Sequence, residues 1–248
     1  ILAAVIAYAM GRENNGFDLS DALVPVDEIH PGGPRRDGIP AIDDPAFVAA
    51  GDAGFLGPDD RVLGLALNGV IKAYPVKILN WHEVVNDRFR AQSVAVTYCP
   101  LCGTGIAFAT GSPGQERRFG VSGLLYNSDV LLYDRKTESL WSQILMQAIS
   151  GPAKGEKLRP LPLSHTTWRA WQERHPKSLV LSTDTGYRRD YSENPYAAYE
   201  EQRSLYFPIG RQSSQYHPKE RVLGVEFAGG FKAYPFSELA RSGQAVLD

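Results

Sequence analysis

The chain has few of the residues that cross-link a fold or bind metal. Two cysteines, two methionines and five histidines stand among 248 residues. Cys99 and Cys102 lie three positions apart, so a disulfide between them would close a tiny loop and remove little unfolded-state entropy. A disulfide-stapled scaffold is excluded, and the pair points to a metal or redox centre, or to two incidental core cysteines. A four-cysteine zinc site is impossible within one chain. Charge of one sign is also scarce. The net charge is −2 and no block of five like charges occurs, so nucleic acid is not an expected partner and a polybasic lipid-binding tail is absent. Long apolar runs are missing too. The apolar opening at residues 1–10 is shorter than the ~20 residues that span a bilayer. No P-loop, dinucleotide glycine fingerprint or Ser-His-Asp signature is present, so no nucleotide cofactor is expected.

What is present reads as a globular body. The chain is 43% apolar and 22% charged, ordinary for a soluble domain, and long enough to bury a core without staples. Residues 1–14 are expected to be the remnant of a signal peptide or membrane anchor, because the opening run lacks the polar alternation of a surface helix. That implies an extracytoplasmic protein, periplasmic or on the outer face, held to the membrane by its N-terminal segment. Residues 15–60, rich in Pro, Gly and Asp, read as an extended arm with one short helix at 45–50. Residues 61–248 read as a single α+β domain, mostly antiparallel sheet with short helices.

Two hairpin–helix units frame that domain. Residues 61–67 and 70–74 flank Asn68-Gly69, which suits a type I′ turn. Pro75 opens a helix that the pattern extends to Asn86. Residues 221–235 repeat 61–75 at an offset of 160, with nine of fifteen positions identical. The spacing predicts two related units, about 61–79 and 221–239, only the first of which carries a histidine. Between them the pattern predicts strands at 93–98, 105–109, 117–121, 130–133 and 178–182, and a helix at 166–175. Residues 184–218 read as Tyr-rich loop.

The chemistry concentrates in Tyr98-Cys99-Pro100-Leu101-Cys102-Gly103. A redox Cys-x-x-Cys opens a helix whose dipole lowers the thiol pKa. Here Gly103-Thr104-Gly105 and a β-like run follow, which are poor helix formers. A metal knuckle that returns into a strand is the better reading. His82 is the expected third ligand, because it shares a helix face with Ile78 and Val85 and so points inward; the alternative is a core histidine bonded to backbone. Met146 is the candidate fourth ligand for a soft metal, with His165 and His217 as other choices. Two thiolates with an imidazole suit copper or zinc. Glu83 is a candidate proton carrier or a solvated surface charge. Asn127 and Asp129, in the polar stretch 122–129, are pocket candidates or members of a self-bonded turn.

Six stretches resemble a known family: Asn-Gly-Phe-Asp-Leu-Ser (15–20), Asp-Glu-Ile-His-Pro-Gly-Gly-Pro (27–34), Lys-Ala-Tyr-Pro (72–75), Asn-Trp-His-Glu (80–83), Thr-Tyr-Cys-Pro-Leu-Cys-Gly-Thr-Gly (97–105) and Gly-Val-Ser-Gly-Leu-Leu-Tyr-Asn-Ser-Asp (120–129). The chain is similar, over 15–240, to a prokaryotic family classed as a domain of unknown function. The resemblance implies an exported or membrane-anchored protein and names no activity. Three functions fit the sequence: a metal-binding protein with a redox or metal-handling role, a thiol–disulfide protein, and a structural subunit of a membrane complex. In the third, the tyrosines of 187–216 would form the contact surface with membrane-protein partners.

Overall fold

The computed structural model describes residues 14–111, 114 and 116–242. The proposed membrane remnant at 1–14 lies almost wholly outside the described residues. Among those that are described, no helix is long and apolar enough to cross a membrane.

Three sheets form the body. The first has the order β1 (Ile29–Pro31), β8 (Phe119–Tyr126), β9 (Asp129–Asp134), β10 (Leu140–Ser142), β11 (Gln147–Ser150). The second has the order β12 (Arg159–Leu161), β7 (Thr104–Gly111), β6 (Gln92–Cys99), β5 (Val84–Phe89). The third has the order β13 (Ser164–Thr167), β3 (Arg61–Leu67), β4 (Val70–Pro75), β14 (Leu179–Leu181), β2 (Phe47–Ala49). Within them only β14 with β4 is parallel. The α+β, mostly antiparallel expectation therefore holds at that level.

The four-stranded sheet is the middle layer, because its two faces bury different partners. Val94, Val96 and Tyr98 of β6 pack with Leu63, Leu65 and Tyr74 of the third sheet. Ala95 and Cys99, on the opposite face, pack with Phe119, Val130, Leu132 and Trp141 of the first sheet. The side-chain period of two along a strand produces this split. It also decides the site, since it turns Cys99 toward the first sheet. Phe17 and Leu19 of the arm cover the outer face of that sheet, packing with its Ile29, Leu131 and Tyr133. Trp168 and Trp171 of α2 (Trp168–Arg174) cover the third.

Several local expectations shift. The helix after Pro75 is α1, Val76–His82, and it ends at Glu83 rather than Asn86. Glu83 takes φ +60, and its N–H bonds the Leu79 carbonyl. The next residues, Val84-Val85 and Phe89, are β-branched and aromatic and join the sheet instead. The short helix expected at 45–50 is strand β2, which pairs with Leu179–Leu181, followed by a 3-10 turn at Ala50–Asp52. Ser164–Thr167 is a strand, and Thr167 caps the helix that follows by accepting from the Ala170 N–H. The polar stretch 122–129 is strand except for its two-residue turn. Within 184–218 one short helix forms, α3 (Ala197–Glu201).

At the C-terminal end, β15 (Val222–Phe227) and β16 (Gly230–Pro235) form a separate two-stranded sheet, followed by α4 (Phe236–Ser242). Val222 pairs with Pro235 and Gly224 with Ala233. In the first hairpin, Val62 pairs with Pro75 and Gly64 with Ala73.

Candidate metal centre

β6 and β7 form a hairpin whose last pair is Cys99 with Thr104. Residues 100–103 make the connection, and Gly103 takes φ +64, a left-handed conformation that glycine adopts without strain. No helix follows Cys102; the chain returns directly into β7. The turn is tied down from behind. Thr97 Oγ1 donates to the Ile106 carbonyl, and the Gln143 amide donates to Thr97 Oγ1 at 2.8 Å and to the Thr104 carbonyl at 3.3 Å.

A second hairpin brings the third donor. Asn127 and Ser128 have φ +51 and +62, so the β8–β9 connection is a two-residue turn with both centres left-handed. Asp129 follows as the first residue of β9. Its Oδ1 accepts from Cys102 Sγ at 3.3 Å, and its Oδ2 accepts from the Ile144 N–H at 3.1 Å. Cys99 Sγ lies 3.8 Å from the Ser128 carbonyl. The donor atoms of Cys99, Cys102 and Asp129 all lie within 4.8 Å of one another. Both cysteines are free; Cys99 is buried and Cys102 half-buried.

Electrostatics at this group reflect burial. Burial pushes the Cys99 thiol well above its ordinary pKa, and the neighbouring Cys102 adds to the effect. Burial raises the Asp129 carboxyl to about 6, against the pull of the Ile144 N–H and the Cys102 thiol. Glu83 is raised to about 8, again by burial first, while a hydrogen bond from Tyr196 opposes the shift and the charge of Asp129 adds to it. The Tyr196 hydroxyl donates to Glu83 Oε1 at 3.5 Å. The Glu83 carbonyl accepts from the Tyr98 N–H at 2.7 Å, which joins the end of α1 to the strand that delivers Cys99. Glu83 is therefore a buried carboxyl, not a solvated helix charge.

His82 is not part of the converging group. It is fully buried, as its helix face requires, but both ring nitrogens are already bonded. Nδ1 lies 2.8 Å from the Pro40 carbonyl and Nε2 lies 2.7 Å from the Tyr191 hydroxyl. Burial holds its pKa below the ordinary value, which favours the neutral ring. The core-histidine alternative describes it. His165 bonds the Gly105 carbonyl and His217 accepts from the Lys219 N–H, so each has a local partner. Met146 packs against the apolar cluster that contains Cys99. Asn127 holds a loop: its Oδ1 accepts from the Gly210 N–H at 2.7 Å, and Ser128 Oγ donates to the Phe207 carbonyl.

Asp129 appeared in the sequence only as a pocket candidate. Its signal was its place directly after a two-residue Asn-Ser turn, where the first strand residue faces the end of the neighbouring hairpin. Ile144 and Gln143, which position Asp129 and the cysteine turn, carry no signal of their own in the sequence.

A family model described as a protein of unknown function, DUF3179, matches residues 36–247. No curated protein matches, and no solved structure matches.

Proposed function

We propose that this chain, which belongs to the DUF3179 family of proteins of unknown function, is a zinc-binding protein whose ion is held by Cys99, Cys102 and Asp129. The convergence of the three donor atoms carries this reading. A tetrahedral ion with legs of about 2.3 Å to sulfur and about 2.1 Å to oxygen sets S···O near 3.6 Å, and the Cys102–Asp129 separation of 3.3 Å is close to that. The hard carboxylate oxygen beside two thiolates favours zinc over copper(I), which prefers an all-soft set. Three protein ligands leave the fourth tetrahedral position for an exogenous ligand. Zinc has no redox chemistry, so the role is metal handling or Lewis-acid chemistry rather than electron transfer.

The thiol–disulfide alternative is disfavoured, because a buried thiol held well above its ordinary pKa is a poor nucleophile. An extracytoplasmic, membrane-anchored location is part of the proposal, and the apolar run at 1–10 supports it. So is kinship of the two hairpin–helix units. Its support is the matched register: each pairing in the second hairpin is the first hairpin's pairing shifted by 160.

The test is metal content by elemental analysis of protein purified without chelators. Stoichiometric zinc in the wild type and its loss in Cys99→Ser/Cys102→Ser is expected. Equal metal in the two proteins would overturn the assignment.

A further inference from the structure

The C-terminal hairpin and α4 carry six of the thirteen large apolar side chains that are exposed among the described residues. They are Val222, Leu223, Val225, Phe227, Phe231 and Phe236, each at 40–80% of its surface. The other seven are spread from Leu23 to Tyr206. A two-stranded sheet is marginal in water by itself and gains stability when an apolar face is covered.

The first hairpin supplies the comparison. Its residues 160 positions earlier, Leu63, Leu65, Tyr74 and Val76, are at most 5% exposed and pack with Val94, Val96 and Tyr98 of β6. Alternate residues along a strand share a face, as do residues directly opposite in an antiparallel pair. In the second hairpin Leu223 stands opposite Tyr234, Val225 opposite Lys232 and Phe227 opposite Gly230. These residues therefore line one face, and Phe236 follows at the place of Val76. Gly224 and Phe231 belong to the other face. The stripe Leu223, Val225, Phe227 is the counterpart of a face that packs on a sheet, and here it is exposed. Lys232 is the one charge among its strand residues; its ammonium lies 5.4 Å from the Tyr234 ring centroid, and a lysine stem can cover apolar surface while the charge reaches the rim.

The area fits one occupant. With ~150–250 Å² per aromatic side chain and somewhat less per aliphatic one, Leu223, Val225, Phe227 and Phe236 present roughly 350–400 Å² of apolar surface per chain at their exposures. A standard interface takes about 800 Å² per partner, of which about 56–65% is apolar, so this stripe supplies most of the apolar share. We propose that the occupant is a second copy of this chain: the two stripes pack face to face across a two-fold axis, and the protein is a dimer through its C-terminal hairpin. A closed two-fold contact uses the same patch on both subunits and so needs a self-complementary one. A flat apolar sheet face meets that condition, and each stripe then gains the apolar sheet that β6 provides to the first hairpin. The dimer does not depend on the metal reading.

Sedimentation velocity of the full chain, followed from the low to the high micromolar range, tests this with wild type, Phe227→Gln, Val225→Gln and Phe231→Gln. Circular dichroism of each variant checks that it is folded. Phe231→Gln makes the same change as Phe227→Gln on the opposite face and keeps the apolar run at 1–10, so it controls for association by other routes. A dimeric wild type is expected. Phe227→Gln and Val225→Gln should weaken it by at least about tenfold, since each loss is counted in both copies, and Phe231→Gln should dimerise as the wild type does. A wild type that stays monomeric overturns the proposal, and its flotation with phosphatidylcholine vesicles would assign the face to a lipid surface instead. Dimers of undiminished affinity in both Phe227→Gln and Val225→Gln overturn it, as does equal weakening by Phe231→Gln. Species that grow beyond a dimer with concentration overturn the closed two-fold contact.

Discussion

Cys102 Sγ and Asp129 Oδ1 stand 3.3 Å apart although 27 residues separate them in the chain. Two hairpin ends in different sheets meet there. The contact makes Asp129 the proposed ligand whose replacement is most informative. Asp129→Asn keeps the shape and the bond from the Ile144 N–H but removes the anionic donor. It is expected to lower zinc affinity by at least about tenfold, given that even supporting residues around metal ligands are worth about 10–100-fold. Competition against a chromogenic chelator measures this, and unchanged affinity would remove Asp129 from the ligand set.

His82 provides the opposite expectation. Its nitrogens face the Pro40 carbonyl and the Tyr191 hydroxyl, and Tyr191 in turn bonds Thr185 Oγ1. His82→Phe leaves the half-buried Pro40 carbonyl without its His82 bond and the Tyr191 hydroxyl with Thr185 as its remaining partner. Denaturant titration should therefore show a loss of about 1–3 kcal/mol, with zinc content per folded chain unchanged. A variant that folds as well as wild type but lacks metal would return His82 to the ligand set.

These two residues show what the sequence could and could not convey. The inward direction of His82 was legible, because helical period depends only on neighbours. Its partners were not, since Pro40 comes from the arm and Tyr191 from a distant loop. The Cys99–Cys102 turn was legible as a knuckle because Gly103 and the β-forming run after it are local. Asp129 was visible as a polar turn neighbour but not as a ligand, because its approach to Cys102 depends on how two sheets stack. The overextended helix after Pro75 has the same origin. Val84 and Val85 continue an apolar helical face as readily as they begin a strand, and only pairing with Thr97 and Val96 of β6 decides between them.

Glu83 makes the metal-free protein sensitive to pH. Its pKa rises from 4.5 to about 8 on folding, so the folded state holds its proton more tightly than the unfolded state. The stability from this carboxyl is fully present below about pH 4.5 and is lost as pH rises through about 8. Asp129, raised from 3.8 to about 6, acts in the same direction over a lower window. The effect of Glu83 is on the order of a few kcal/mol. Unfolding free energies of metal-free protein should fall between about pH 4.5 and 8, and Glu83→Gln should flatten the upper part of that fall. A wild type whose stability is level or rises across this window would contradict the buried, protonated carboxyl.

Gly64 and Gly224 occupy matched positions in the two hairpins, each opposite an alanine, yet their surroundings differ. A Cβ on Gly64 would meet the Trp171 ring at 2.1–2.4 Å, whereas one on Gly224 would meet nothing within 4 Å. The indole is locked between strand and helix in the core around Val62, Ala73 and Val180, so it has little room to yield. Gly64→Ala should destabilise by about 1–3 kcal/mol or more through overpacking. Gly224→Ala, on an exposed strand, should stay within about 0.5 kcal/mol. Paired denaturation curves decide the matter. If the two hairpins descend from one unit, glycine at 224 persists without the packing constraint that requires it at 64. A Gly224→Ala loss as large as that at Gly64 would mean that this face is covered in solution.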